Sequence, residues 1–162
     1  MKIFLVGVSC VGKTTIGKRL AARLGYAFFD LDTEIEHTFG TSIERLKAAL
    51  VTEYTFRHKA ALALKHLVRQ QEKTPYVVAL PPSGLMDHYY RVLKQVACMT
   101  IALHDRPEHI LARITFYDRD SQPLHKQLSA AEKAYYLREI KADIQYFGTS
   151  HKKAHWQVDI AG

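Results

Sequence analysis

The sequence predicts an α/β fold of three layers, a five-stranded parallel sheet with helices on both faces. Three observations predict it. Five short apolar runs alternate with stretches of helical periodicity, the pattern of βαβ units. Two runs, Ile3-Phe4-Leu5-Val6 and Tyr76-Val77-Val78-Ala79-Leu80, are continuous rather than alternating, as in strands covered on both faces. The length, 162 residues, suits one domain spanning 1–162.

Each element follows in order. The first strand is Ile3–Val6, and residues 7–15 turn into a helix on which Ile16, Leu20 and Leu24 recur every four residues, ended by Gly25. Ala27-Phe28-Phe29 is a second strand stopping at Asp30, with a helix beginning near Thr33. Residues 42–50 form a helix capped by Ser42, with Ile43, Leu46 and Leu50 on one face. A longer helix covers 55–71 and carries Leu62, Leu64, Leu67 and Val68. The third strand, 76–80, is stopped by Pro81-Pro82-Ser83-Gly84. A helix over 87–95, a fourth strand over 99–103 and a helix opened by Pro107 come next. Residues 117–128 read as a loop, 129–146 as a long helix, and 156–160 as the fifth strand.

Composition narrows the function classes. The chain is 48% hydrophobic and 24% charged, with 23 basic and 16 acidic residues and a net charge of +7. That balance suits an anionic ligand. The basic residues are scattered and form no block of the kind a nucleic-acid tail shows, so no nucleic-acid partner is expected. No apolar run approaches the roughly 18 residues of a membrane span, and Ile3–Val8 is too short for a signal peptide. Two cysteines, Cys10 and Cys98, make no disulfide framework. A monomer in the cytoplasm is expected.

Ligands of parallel sheets bind beyond the carboxyl ends of the strands, which directs attention to four places. At the first, Gly7-Val8-Ser9-Cys10-Val11-Gly12-Lys13-Thr14 fits G-x-x-x-x-G-K-S/T between a buried strand and a helix. Such a loop cradles phosphates with backbone N–H groups and the positive end of its helix. Residues Cys10, Val11, Gly12, Lys13, Thr14 and Thr15 are therefore expected to bind ATP, Lys13 at the β- and γ-phosphates and Thr14 on Mg²⁺. At the second, Asp30 and Asp32 stand two apart at a strand end, one able to hold Mg²⁺ and the other to take a proton from an attacking hydroxyl. His151 and His155 have the i, i+4 spacing of metal ligands but no third ligand nearby. Tyr135, Tyr136 and Tyr146 read as helix packing.

Further residues carry a resemblance. Phe29-Asp30-Leu31-Asp32-Thr33-Glu34-Ile35-Glu36, then Gly40-Thr41-Ser42-Ile43, then Phe56-Arg57, resemble the shikimate kinase motifs F-x-D-x-D-x-x-I-E, G-x-S-I and G-E-x-x-F-R. Gly17-Lys18-Arg19-Leu20-Ala21 is similar to that family's first helix. The resemblance implies the P-loop kinase fold with a lid at about 114–128, and an ATP- and Mg²⁺-dependent transfer of the γ-phosphoryl group to a hydroxyl of a small, anionic acceptor. It places Asp30 on Mg²⁺, Asp32 on the acceptor hydroxyl as base, Arg57 on the acceptor carboxylate and Arg113 against adenine. Arg119, in the lid, is the candidate to stabilise transition-state charge.

The chain also departs from the family pattern. Pro81-Pro82-Ser83-Gly84 replaces a Gly-Gly-Gly turn. Two prolines remove two N–H donors, leaving Ser83 and Gly84 as candidate acceptor contacts. The glycine before Glu53 is Thr52, the lid's R-P-L-L reads Gln122-Pro123-Leu124-His125, and the acceptor-binding arginine four residues before Tyr146 is Ala142. The family's adenine-side loop and closing helix lie beyond the fifth strand, outside the sequence to Gly162. These departures predict that shikimate is a poor acceptor. They keep two alternatives open: a nucleotide-binding protein of the same fold without catalysis, and a nucleoside-monophosphate kinase.

Overall fold

The structure, a computed structural model, describes residues 1–162. Its strands are β1 (Lys2–Val6), β2 (Ala27–Asp30), β3 (Tyr76–Ala79), β4 (Met99–His104), β5 (Phe116–Tyr117), β6 (Pro123–Leu124) and β7 (Trp156–Asp159). Its helices are α1 (Lys13–Leu24), α2 (Leu31–Phe39), α3 (Ile43–Ala49), α4 (Glu53–Gln70), α5 (Asp87–Leu93), α6 (Pro107–Ala112) and α7 (Ala130–His151). Five strands form one parallel sheet in the order β2-β3-β1-β4-β7. Ile3 pairs with Val77 on one side and Met99 on the other, so β1 and its loop lie at the centre.

Alternate residues of the central strands feed two cores, which is why their sequences are apolar throughout. Phe4, Val6, Tyr76 and Val78 join Leu31, Ile35, Phe56, Leu64 and Tyr89, the inward side chains of α2, α4 and α5. Ile3, Leu5, Val77 and Leu103 join Ala21, Ile110 and Ile140 from α1, α6 and α7. Each fully buried Leu or Phe contributes about 1.5–3 kcal/mol by leaving water. Of the apolar residues the long helix carries, Leu64 and Leu67 are buried and Leu62 is 52% exposed. No helix is long and apolar enough to cross a membrane.

Local chemistry sets the boundaries. Asp30 accepts a hydrogen bond from the N–H of Asp32 at 3.1 Å and so starts α2 two residues earlier than the sequence suggested. Ser42 caps α3, Thr52 caps α4, and Ser129 with Glu132 form a reciprocal capping box on α7. Thr52, which replaces the family's glycine, thus has a structural role. Helix α7 runs on through Gly148 to His151, five residues past Tyr146. Its continuing contacts with the sheet, through Ile144 and Phe147, outweigh the helix-weakening glycine.

The segment read as a loop at 117–128 contains a short antiparallel hairpin, Phe116 pairing with Leu124 and Tyr117 with Pro123. Phe116 packs edge-on against Tyr136 of α7 at 5.2 Å. On the other side the hairpin tip is tied down. The Ser42 hydroxyl donates to the Arg119 carbonyl, Ser121 donates to Glu36 at 2.5 Å, and Arg45 pairs with Asp120 at 2.9 Å. The lid therefore rests on α2 and α3.

Candidate active site

The loop after β1 has the backbone of a phosphate cradle. Gly12 has φ 110°, a left-handed conformation that a side chain resists. At Gly7 a Cβ would stand 2.8 Å from the Leu103 carbonyl oxygen, so the loop meets β4 only because no side chain is there. Lys13 donates to the carbonyls of Gly7 and Val8, both at 2.8 Å, folding its ammonium over the loop. Burial lowers its pKa to about 8, although Asp32 and Asp30 pull the other way. Helix α1 starts at Lys13 with no side-chain cap, leaving its first N–H groups free for an anion.

The carboxylates stand beside this loop because β2 ends there. The Thr14 hydroxyl donates to Asp30 Oδ2 at 2.6 Å. An alcohol and a carboxylate oxygen this close suit Mg²⁺, which takes oxygen ligands and completes its shell with water and phosphate. Asp32 reaches water through the cleft, yet desolvation raises its carboxyl to about 6. Asp30 adds to that rise, and Lys13 and Lys47 oppose it. A carboxylate with this affinity for a proton is matched to general-base work near neutral pH.

Loop, carboxylates and lid share one cleft of about 510 Å³. Cys10, Gly12, Lys13, Thr14, Thr15, Asp30, Asp32 and Arg113 all line it, as do Pro81, Pro82 and Tyr117. Val11 belongs to the loop but is fully buried beneath it. Arg113 lies between Asp105, at 2.5 Å, and the Cys10 carbonyl, at 3.1 Å. Besides Val11, four expected residues are not in the lining: Arg57, Ser83, Gly84 and Arg119. Arg57 turns to Asp87, 3.2 Å away, and its Nε is buried without a partner. The expectation that Gly84 offers a free N–H is corrected: it donates to the Pro81 carbonyl at 2.9 Å, closing the turn. Arg119 is exposed, held by its main chain rather than its guanidinium.

A family model described as shikimate kinase matches residues 9–153, nearly the whole chain. The chain belongs to the shikimate kinase family. It is a kinase, a phosphotransferase with an alcohol acceptor, and ATP is its co-substrate. Over 142 residues it is 34% identical to the shikimate kinase of Neisseria meningitidis serogroup C, covering 87% of this chain and 78% of that one. It is 39% identical over 119 residues to a bifunctional shikimate kinase/3-dehydroquinate synthase of Thermotoga maritima, covering 74% of this chain and 23% of the longer protein. Among solved structures, shikimate kinase from Acinetobacter baumannii in complex with shikimate matches with a TM-score of 0.72 and 26% identity, covering 99% of this chain and 84% of that one.

Within this shikimate kinase family site, several residues escaped the sequence reading. Glu36 lines the cleft and accepts from the Ile43 N–H and the Ser121 hydroxyl. Its signal was available, since it lies one helical turn after Asp32 on α2. Asp87 and Tyr89 carried no such signal. Tyr89 is fully buried, its hydroxyl has no partner, and burial raises its pKa with help from Asp32. His151 and His155 are not joint metal ligands. His151 donates to the Pro82 carbonyl at 2.8 Å, and His155 Nδ1 bonds Thr100. Burial lowers the pKa of His151, and the nearby charges of His104 and Lys13 add to that, so its ring braces the proline turn in the neutral form.

Proposed function

We propose that this chain uses ATP and Mg²⁺ to phosphorylate a hydroxyl of a small molecule, with Asp32 as the general base. The reading rests on one observation above all: the Thr14 hydroxyl, Asp30 and Asp32 meet at one end of the cleft that the phosphate loop opens into. Lys13 and the loop N–H groups hold the β- and γ-phosphates, and Arg113 lies at the loop's outer edge. Thr14 and Asp30 would hold Mg²⁺, which supplies charge neutralisation as the transferred group leaves ADP. Asp32 takes the proton of the acceptor O–H while the oxygen attacks the γ-phosphorus and the bond to the β-phosphate oxygen breaks. Arg119 joins this chemistry only if the lid brings its side chain inward. Shikimate stays a poor acceptor in this reading, because Pro81 and Pro82 of the turn lack the N–H groups that the family's glycines carry.

Coupled ADP release over a panel of hydroxylated metabolites tests the reading. Sustained turnover with at least one acceptor, lost in Asp32→Asn, is the expected result. A wild-type protein that binds ATP but releases no ADP above its own hydrolysis with any acceptor would make it a nucleotide-binding relative without catalysis. Turnover confined to nucleoside monophosphates would move it to a different kinase class.

A further inference from the structure

Most cations around the cleft already have partners. Lys13 is folded onto two loop carbonyls, and Arg113 lies between Asp105 and the Cys10 carbonyl. Arg45 pairs with Asp120 of the lid, and Arg57 gives one terminal nitrogen to Asp87 at 3.2 Å. Lys47 is exposed and takes part in no ion pair.

Its place in the fold matters. Ile43 and Glu44 line the cleft, and Lys47 follows them by four and three residues on α3. Residues at that spacing are neighbours on a helix surface, so Lys47 extends the α3 wall of the cleft toward α4. There its ammonium lies over the Phe56 ring, 5.2 Å from the centroid. An exposed contact between an ammonium and a ring is weaker than a charge-assisted hydrogen bond. The flexible stem therefore lets an anion draw the ammonium off the ring. The charge also reaches the proposed base: desolvation and Asp30 raise the Asp32 carboxyl, and Lys13 and Lys47 pull it down. Lys47 thus stands near the place where an acceptor hydroxyl meets Asp32. Arg57 follows Phe56 on α4, and its Nε is a buried donor without a protein partner. Open buried donors are rare and call for an acceptor atom from elsewhere.

We infer that Lys47 is a specificity-determining residue, which holds a carboxylate of the acceptor at the α3–α4 side of the cleft. The inference rests on the kinase reading above and adds the residue that reads the acceptor's charge.

Matched pairs test it: shikimate, quinate and gluconate, each against its methyl ester. The measurement is kcat/KM by coupled ADP release at fixed ATP and Mg²⁺. In the wild-type protein the acid of a pair that turns over is expected to be favoured by about tenfold or more, the lower end for a charge-assisted contact. Lys47→Met keeps most of the stem and removes the charge, and Lys47→Arg keeps the charge. In Lys47→Met, with an unchanged melting temperature, the ratio of acid to ester is expected to fall by about tenfold, through KM of the acid. Lys47→Arg is expected to retain most of the ratio. Comparison within a pair cancels whatever the lost charge does to Asp32, since acid and ester meet the same base. A ratio that Lys47→Met leaves in place overturns the inference, as does one that Lys47→Arg loses as fully as Lys47→Met. A wild-type preference for the esters, or for an uncharged acceptor, also overturns it. All three results leave the kinase reading standing. ATP binding without ADP release from any pair or any wider panel member overturns the kinase reading, and this inference with it.

Discussion

At the phosphate-loop end of the cleft the binding groups are backbone: loop N–H groups, glycine angles and a helix start, gathered within residues 7–15. At the acceptor end they are side chains drawn from distant segments, Asp32 and Glu36 on α2, Glu44 on α3 and Ser121 in the lid, while Arg57 on α4 pairs with Asp87 on α5 outside the lining. A backbone site depends on few residue identities, because every residue except proline carries the same N–H. A side-chain site changes its chemistry with each substitution. This chain keeps the family's pattern at the first end and departs from it at the second.

The sharpest break of that contrast comes from Asp32, the residue where the two ends meet. Asp32→Asn removes the proton acceptor and keeps the shape, so kcat should fall by roughly 10²–10⁴ while ATP affinity holds. Full turnover in this variant would remove Asp32 from the chemistry. Next in size is Lys13→Ala, which deletes a charge-assisted phosphate contact and should weaken ATP binding by roughly 1.5–3 kcal/mol. Titration calorimetry reads it, and an unchanged ATP affinity would mean that the loop backbone alone holds the phosphates.

The pH profile sharpens the comparison across the shared boundary. With Asp32 near 6 and Lys13 near 8, kcat/KM should rise as pH passes 6 and fall above 8, changing by about tenfold per unit on the acid side. Asp32→Asn should abolish the acid limb and move the alkaline one to lower pH, because the Asp32 charge holds the Lys13 pKa up. Linkage gives a second sign. The folded Asp32 holds its proton between its ordinary 3.8 and about 6, so its share of stability grows as pH falls through 6. Lys13, depressed from 10.5 to about 8, adds stability as pH rises through 8.

Smaller effects separate the scaffolding of the acceptor end from its chemistry. His151→Ala leaves the Pro82 carbonyl unpaired and should cost about 1–3 kcal/mol in chemical denaturation, with a raised acceptor KM and an unchanged ATP affinity. Smallest is Arg45→Ala. It breaks the exposed Arg45–Asp120 tie between α3 and the lid, a pair worth about 0.2–1 kcal/mol, so KM should shift only a few-fold and less at high salt. A large loss there would show that lid closure, rather than the acceptor wall, limits binding.

Much of the molecule was legible in sequence because its signals are local. Continuous apolar runs require two covered faces, and the central strands β1 and β3 stand where the two such runs are, while the edge strand β7 is exposed along its length. The phosphate loop, the Asp30–Asp32 pair and the caps Ser42 and Ser129 are set by residues within a few positions of one another. What local spacing could not show is which side chains meet across the fold. Arg57 and Asp87 are thirty residues apart, as close to unrelated in sequence as the Arg45–Asp120 and His151–Pro82 contacts. The hairpin inside the lid also escaped, because two-residue strands are held by their supports, Phe116 on Tyr136 and Ser121 on Glu36, more than by any periodicity of their own. By itself the sequence determined the layers, the loop and the reaction class, since backbone geometry and a strand-end carboxylate pair depend on neighbours along the chain. Only the tertiary structure decided where the charge of Arg57 goes, because electrostatic partners are chosen by distance in space.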